Sequence, residues 1–178
     1  NLIVSPGRGL ELTNQTGGAI INNTMISTNT GDYGITVSNL SSPIVRNNIL
    51  QGYATGMQID NNQTNTNVTH NAFWDISGDV YLGSAIAPQM GEYITYNNNS
   101  DVSDVYGNIY MDPMFVNQDS MDYRLQVSSP CIDAGYDQST LNIDGSITDM
   151  GAFLSVLFGC TDELSCNYNN IASFEDTT

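Results

Sequence analysis

The chain has 178 residues, with 19 acidic side chains against three arginines and no lysine, a formal net charge of −16. That balance excludes the cationic surface that displaces counterions from nucleic acid, and it excludes attraction to an anionic membrane surface. No apolar run approaches the roughly 20 residues of a membrane span, yet 40% of the residues are hydrophobic, enough to bury a core. The charge is unevenly placed. Residues 1–78 hold four acids against Arg8 and Arg46, and the rest holds 15 against Arg124 alone.

From the first residue the chain repeats itself. Asn1-Leu-Ile-Val, Asn23-Thr-Met-Ile, Asn48-Ile-Leu-Gln and Asn71-Ala-Phe-Trp are spaced by 22, 25 and 23 residues. A second series runs in the same phase: Gly9-Leu-Glu-Leu, Gly34-Ile-Thr-Val, Gly56-Met-Gln-Ile and Asp79-Val-Tyr-Leu. A third column, Asn14, Asn39 and Asn61, follows directly after these segments. The opening falls inside a repeat and lacks the charged and apolar regions of a signal peptide, so the chain reads as a piece of a longer protein.

Each unit reads as short alternating strands joined by polar turns, without a helical stripe. A four-residue strand cannot bury its apolar face alone. Stacking the units about 4.8 Å apart pairs each strand with its copies and builds continuous apolar columns. The alternation points Leu10, Ile35, Met57 and Val80 inward, with Leu12, Val37, Ile59 and Leu82. Two further inward stacks are Ile20, Val45, Val68 and Ile3, Met25, Leu50, Phe73. Glu11, Thr36, Gln58 and Tyr81 then point out, followed by a row of Thr13, Ser38 and Asp60 that ends at Gly83. Asparagine suits the turns because it tolerates left-handed backbone angles, and stacked amides donate and accept along a column. These residues resemble the asparagine ladders of right-handed parallel β-helix proteins, the pectate-lyase-like repeat proteins secreted by bacteria. The resemblance implies an all-β right-handed solenoid over residues 1–106. Asn-x-Ser/Thr sequons at Asn14, Asn22, Asn39, Asn62, Asn67 and Asn98 read as by-products of the turn chemistry.

After Asp79 the period loosens. Residues 83–92 read as an excursion, and Tyr93-Ile-Thr-Tyr-Asn-Asn-Asn as one more, degraded coil. Then follow Asn108-Ile-Tyr-Met-Asp-Pro-Met-Phe, Asp122-Tyr-Arg-Leu, Ser129-Pro-Cys-Ile-Asp-Ala-Gly, Asn142-Ile-Asp-Gly and Asp149-Met-Gly-Ala-Phe. This string resembles the closing segment of many secreted bacterial β-helix proteins, with Asn142 in place of the usual first aspartate of D-x-D-G. The resemblance implies that residues 107–153 finish and cap the stack, since a bare last coil exposes an apolar end and unpaired edges. Within it Cys131 reads as a buried small apolar residue and Arg124 as the partner of a local carboxylate.

The tail, residues 154–178, contains Gly159-Cys-Thr-Asp-Glu-Leu-Ser-Cys-Asn-Tyr. It resembles the start of a cysteine repeat found near the C-termini of large secreted surface proteins, with Ser165 where alanine is usual and the chain ending before the last expected cysteine. Cys160 and Cys166 suit an oxidising compartment, and their pairing stays open. Asp162, Asn167, Asn169, Glu175 and Asp176 offer the hard oxygens that calcium needs, and a solvated acidic tail is the plainer alternative.

Catalytic groups are sparse. A uronate lyase needs a base and a cation beside the substrate carboxylate. His70, the one histidine, falls in the turn column of Asn22 and Asn47, where it reads as a replacement for asparagine. Arg46 falls on another strand from the Glu11 row, with Ile21 and Thr69 as its column neighbours. A hydrolase needs two facing carboxylates, and Glu11 and Asp60 lie two coils apart in different rows. The outward row of Glu11, Thr36, Gln58 and Tyr81, with Asp60, could still bind sugar through hydrogen bonds and an aromatic face, and Trp74 is near in sequence. The leading expectation is a non-catalytic extracellular or cell-surface segment, adhesive or structural, with polysaccharide or surface glycan as partner and end-to-end stacking of coils or copies. The alternative is the C-terminal part of a carbohydrate-active enzyme, a polysaccharide lyase, hydrolase or uronate epimerase, whose active coils lie upstream.

Overall fold

The computed structural model describes residues 1–13, 17–29, 32–38, 43–60, 67–136, 142 and 145–153, with the backbone of 158–159 and 174–175. In chain order each repeat lays down up to three short strands. The first holds β1 (Leu2–Ser5), β2 (Leu10–Thr13) and β3 (Ala19–Ile21); the second β4 (Thr24–Ser27), β5 (Tyr33–Ser38) and β6 (Ile44–Arg46). The third holds β7 (Ile49–Gln51), β8 (Thr55–Ile59) and β9 (Asn67–Thr69), and the fourth β10 (Ala72–Trp74) and β11 (Tyr81–Gly83). Like strands pair with like. The strands of the four repeats form three parallel sheets, β1-β4-β7-β10, β2-β5-β8-β11 and β3-β6-β9. The protein is thus all-β, built of stacked parallel strands, an arrangement compatible with a β-helix.

The core follows from the alternation. Met25, Leu50 and Phe73 come from the first sheet, Ile35, Val37, Met57 and Ile59 from the second, and Ile20, Val45 and Val68 from the third. All are buried in one cluster, with Ile3, Leu10 and Leu12 of the first repeat partly covered. Each fully buried aliphatic or aromatic side chain contributes roughly 1.5–3 kcal/mol.

The glycines at the start of the second-sheet strands in the second and third repeats have a steric cause. A Cβ on Gly34 would lie 2.6 Å from the Gly56 carbonyl oxygen, and one on Gly56 would lie 2.6 Å from the Val80 oxygen and 2.8 Å from Phe73 Cδ1. Backbone oxygens of the next coil cannot withdraw without breaking the ladder. Gly56→Ala is therefore expected to cost about 2–3 kcal/mol through overpacking, read as a lowered urea midpoint at unchanged slope.

One register differs from the sequence expectation. Tyr81 pairs with Met57 and Leu82 with Gln58, so the step between repeats here is 24 residues, one more than aligning Asp79 with Gly56 allows. Side chains alternate along a strand, so a slip of one residue exchanges the faces. Tyr81 turns to the core, edge-on to Phe73 at 5.2 Å, while Leu82 is left 38% exposed. The ring buries more apolar area than leucine, and its hydroxyl reaches that of Tyr110 at 3.3 Å.

The end of the stack is also closed differently from expectation. The excursion supplies Ala85, Ile86, Ala87 and Met90 to the core cluster, together with Tyr106 and Tyr110. The stretch from Tyr93 is no further coil: β12 (Thr95–Tyr96) pairs antiparallel with β13 (Val102–Ser103). The turn between them is tied by Asn97, whose Oδ1 accepts from the amides of Asn99 and Asp101. The next parallel rung is Ile109, bridged to Ala72.

Beyond that rung, most of residues 107–153 folds back along the side of the stack. The antiparallel pair of β14 (Phe115–Asn117) and β15 (Asp122–Leu125), with Cys131, Ala134 and Met150, covers the outer face of the first sheet. There Ile26, Ile49, Ala72 and Ile109 meet Phe115, Tyr123, Leu125, Cys131, Ala134 and Met150 in a second core. Hydrogen bonds fasten the strap to successive coils: Ala152 N to Thr24 Oγ1 at 3.0 Å, Gly151 N to Asn47 O at 2.7 Å and Tyr136 N to Asn47 Oδ1 at 2.9 Å. Asp149 Oδ1 gathers the closing motifs, accepting from Asp133 N and from Asn142 Nδ2, each at 3.0 Å. Asn142 can donate to that carboxylate, which an aspartate could do only in its protonated form.

Cys131 is fully buried in the second core, and burial pushes its thiol well above the ordinary range. Because the thiolate is the reactive form, Cys131 is expected to resist thiol-specific alkylation in the native protein and to react once urea unfolds it. The readout is mass spectrometry of the Cys131 peptide.

Candidate functional site

The asparagines that lead the first sheet form a continuous file of hydrogen bonds. Asn1 Nδ2 donates to Asn23 Oδ1 at 3.0 Å, Asn23 Nδ2 to Asn48 Oδ1 at 2.8 Å, Asn48 Nδ2 to Asn71 Oδ1 at 2.9 Å and Asn71 Nδ2 to Asn108 Oδ1 at 3.0 Å. Each internal member also serves the backbone. Asn48 Nδ2 reaches the carbonyls of Ile20 and Arg46, and its Oδ1 takes the amide of Asn23. Polar turn groups that the strand ladders leave over are satisfied in this way, as burial demands.

The file ends on a carboxylate. Asn108 Nδ2 donates to Asp104 Oδ2 at 3.1 Å, and Asp104 is fully buried. Its oxygens also accept from the amides of Gly91, Tyr106 and Asn108 and from the Tyr110 hydroxyl at 2.6 Å. An acceptor-only group suits the terminus of a file whose members all point their donors one way. Tyr110 lies 4.8 Å edge-on from Tyr93 and 6.0 Å stacked on Phe73. Burial and then the bond to Asp104 hold the Tyr110 phenol well above its ordinary pKa. Burial, chiefly, does the same for Tyr81.

The residues singled out from sequence are not all brought together. Glu11, Thr36 and Gln58 do stack in one row of the second sheet, but Glu11 is held by Arg8 at 2.8 Å. Thr36 is buried between its two neighbours, and Gln58 Nε2 turns to Asp60 Oδ1 at 3.2 Å. Tyr81, expected as the aromatic of this row, is replaced there by Leu82 for the register reason given above. Trp74 belongs to the first sheet, beside Gln51. Glu11 and Asp60 stay in separate rows.

The turn column behaves as its residue types require. Asn22, Asn47 and His70 have φ of 53°, 55° and 54°, the left-handed angles that asparagine, aspartate and histidine tolerate best. Arg46 sits between Ile21 and Thr69 in the third sheet. Its guanidinium lies over the Tyr136 ring at 3.8 Å, and His70 meets the same ring edge-on at 5.3 Å. Arg124 pairs with Asp122, Nε to Oδ1 at 2.8 Å, which holds that carboxyl below its ordinary pKa. The columns of Asn14, Asn39 and Asn61, the cysteines Cys160 and Cys166, and the calcium candidates Asp162, Asn167, Asn169 and Asp176 lie outside the described residues, as does the side chain of Glu175.

Two concavities were not foreseen. One, of about 320 Å³, opens between the end of β9 and the β12–β13 pair, with Thr69, His70, Tyr96, Ser103 and Asp104 among its walls. It brings a serine, a histidine and an aspartate together, yet they do not form a nucleophilic relay. Ser103 Oγ makes no hydrogen bond to the protein, and the donors on Asp104 come from Gly91, Tyr106, Asn108 and Tyr110. The other, of about 430 Å³, is lined by Asp101, Asp112 and Asp133 among apolar groups of the strap. Among the described residues no group of three or more His, Cys, Asp or Glu side chains is placed to hold a metal ion. Sequence reasoning missed both concavities because their walls come from separate segments with no shared motif. No family model, curated protein or solved structure matches the chain.

Proposed function

We propose that the chain is a right-handed parallel β-helix segment of a secreted or surface-anchored protein, and that it is a non-catalytic scaffold with an adhesive or structural role. The observation that carries this reading is the use made of the buried polar groups. Asn23, Asn48, Asn71, Asn108 and Asp104 spend their hydrogen-bonding capacity on the backbone and on one another. A general base must offer a free lone pair to substrate, and the buried carboxylate here is crowded with donors. A hydrolase needs a second carboxylate across the scissile bond, and the outward acids Glu11 and Asp60 do not converge.

The expected behaviour is binding to glycan-coated surfaces without chemical change. The full chain would be incubated with neutral polysaccharides, pectin and alginate, and products followed by reducing-end release and by the absorbance of unsaturated uronates. Retention on immobilised glycans with neither product appearing is the expected result. Turnover of any one polymer would sink the scaffold reading in favour of a carbohydrate-active enzyme.

A further inference from the structure

We infer that the cleft between β9 and the β12–β13 pair is a binding site for a neutral, hydroxyl-rich small molecule, of which a monosaccharide unit at the end of a glycan is the fitting class. This rests on the non-catalytic reading above and moves the binding site away from the Glu11 row.

Two hydroxyls in the cleft wall carry the inference. Ser103 is 0% exposed, and neither its Oγ nor the buried Thr69 Oγ1 makes a hydrogen bond to the protein. A buried hydroxyl without a partner is costly; among the described residues the other such hydroxyls are those of Thr36 and Tyr53, and neither lines this cleft. Finding two such hydroxyls on one concavity points to a partner that enters from outside. A hydroxyl both donates and accepts, so the chemistry that satisfies both is another set of hydroxyls, not a fixed charge.

Charge narrows the class. No arginine lines the cleft and the chain has no lysine, while Asp104 stands in the wall and the protein carries −16 overall. An anionic sugar entering there would be repelled; a neutral one would not. The volume of about 320 Å³ lies at the small end of ligand pockets, enough for one ring. Strand alternation sends Thr95 and Ser103 to one face of the antiparallel pair and Tyr96, 70% exposed, to the other. Tyr96 nonetheless borders the cleft, and an exposed aromatic ring can meet the apolar face of a sugar. Asn98, exposed on the same rim, offers an amide.

The test is titration calorimetry and amide chemical-shift mapping of the full chain with glucose, galactose, mannose and N-acetylglucosamine, each compared with glucuronate and galacturonate. At least one neutral sugar should saturate, with shifts centred on residues 95–107, and the uronates should bind at least tenfold more weakly. Ser103→Ala combined with Thr69→Val should lower affinity at least tenfold while leaving the thermal midpoint equal or higher, because the orphaned hydroxyls are gone. Should that pair fail to fold, the exposed Tyr96→Ala and Asn98→Ala changes serve instead, each expected to weaken binding several-fold at unchanged midpoint. Absence of neutral-sugar binding, a preference for uronates, or affinity indifferent to these changes would overturn the site. Turnover of a polysaccharide in the assay above would leave the site standing and remove the non-catalytic reading, so the two failures are distinct.

Discussion

Replacing Asn48 by alanine is expected to destabilise the protein by about 4 kcal/mol, measured by urea denaturation monitored by circular dichroism. The side chain is fully buried and joins three coils. Its Nδ2 donates to the Ile20 and Arg46 carbonyls and to Asn71 Oδ1, and its Oδ1 accepts from Asn23 N and Nδ2. Removing it strands the Asn23 amide and the Ile20 carbonyl, each at about 1–3 kcal/mol, and leaves a small cavity. Gln51→Ala, three residues on at the end of β7 and only half-buried, should cost under about 1 kcal/mol, since surface substitutions rarely exceed that. Asn48→Asp separates the two roles of the amide. The introduced carboxylate keeps the acceptors but faces the Ile20 and Arg46 carbonyls, so burial and those oxygens raise its folded-state pKa above the unfolded value. The damage is then present at neutral pH and shrinks as pH falls through that raised pKa, because the protonated form can donate again. An equal loss for Asn48→Ala and Gln51→Ala would deny the ladder its structural role.

Asp104→Ala is expected to cost as much or more, about 4–5 kcal/mol. Three backbone amides, those of Gly91, Tyr106 and Asn108, converge on this carboxylate together with the Tyr110 hydroxyl. The Asn108 amide is buried and those of Gly91 and Tyr106 partly so, and each stranded donor costs about 1–3 kcal/mol. The loss should be local before it is global. Hydrogen exchange of the Gly91, Tyr106 and Asn108 amides should accelerate by at least tenfold under native conditions, while that of Ile35 and Val45 follows only global unfolding. Asp104→Asn is milder, about 1–2 kcal/mol, because one oxygen still serves Tyr106 and Asn108 while the amide group turns donors toward Gly91 N. In both variants the Tyr110 phenol loses a bond that holds it protonated, so its titration in ultraviolet absorbance should shift to lower pH. Unchanged exchange at the three amides would show that Asp104 does not hold this end.

Much of this arrangement was legible in the residue order, and for a local reason. Stacked parallel strands repeat the same turn in every coil, so the residues that tolerate the turn recur at a fixed phase. Asn23, Asn48 and Asn71 announce the ladder, and Asn22, Asn47 and His70 the left-handed corner. The inward positions of the first three repeats followed from strict alternation. Where the repeat loosened, the reading loosened with it. The step from Met57 to Tyr81 is one residue longer than the motif suggested, and a single residue was enough to turn an expected surface aromatic into a core one. The candidate site fared worse, since its walls at Thr69, Ser103 and Asp104 share no spacing that a linear reading could detect.

The amino-acid sequence by itself determined the stacking period, the asparagine file and the three apolar columns, because each depends on backbone tolerance and alternation within a few residues. Tertiary structure alone decided what closes the stack and where the last segment goes. Tyr106 and Tyr110 with residues 85–90 cover the core end, and the strap returns to bond Thr24 from a distance of 128 residues. Such choices weigh the burial of whole surfaces against one another, an energy that belongs to no short stretch of chain.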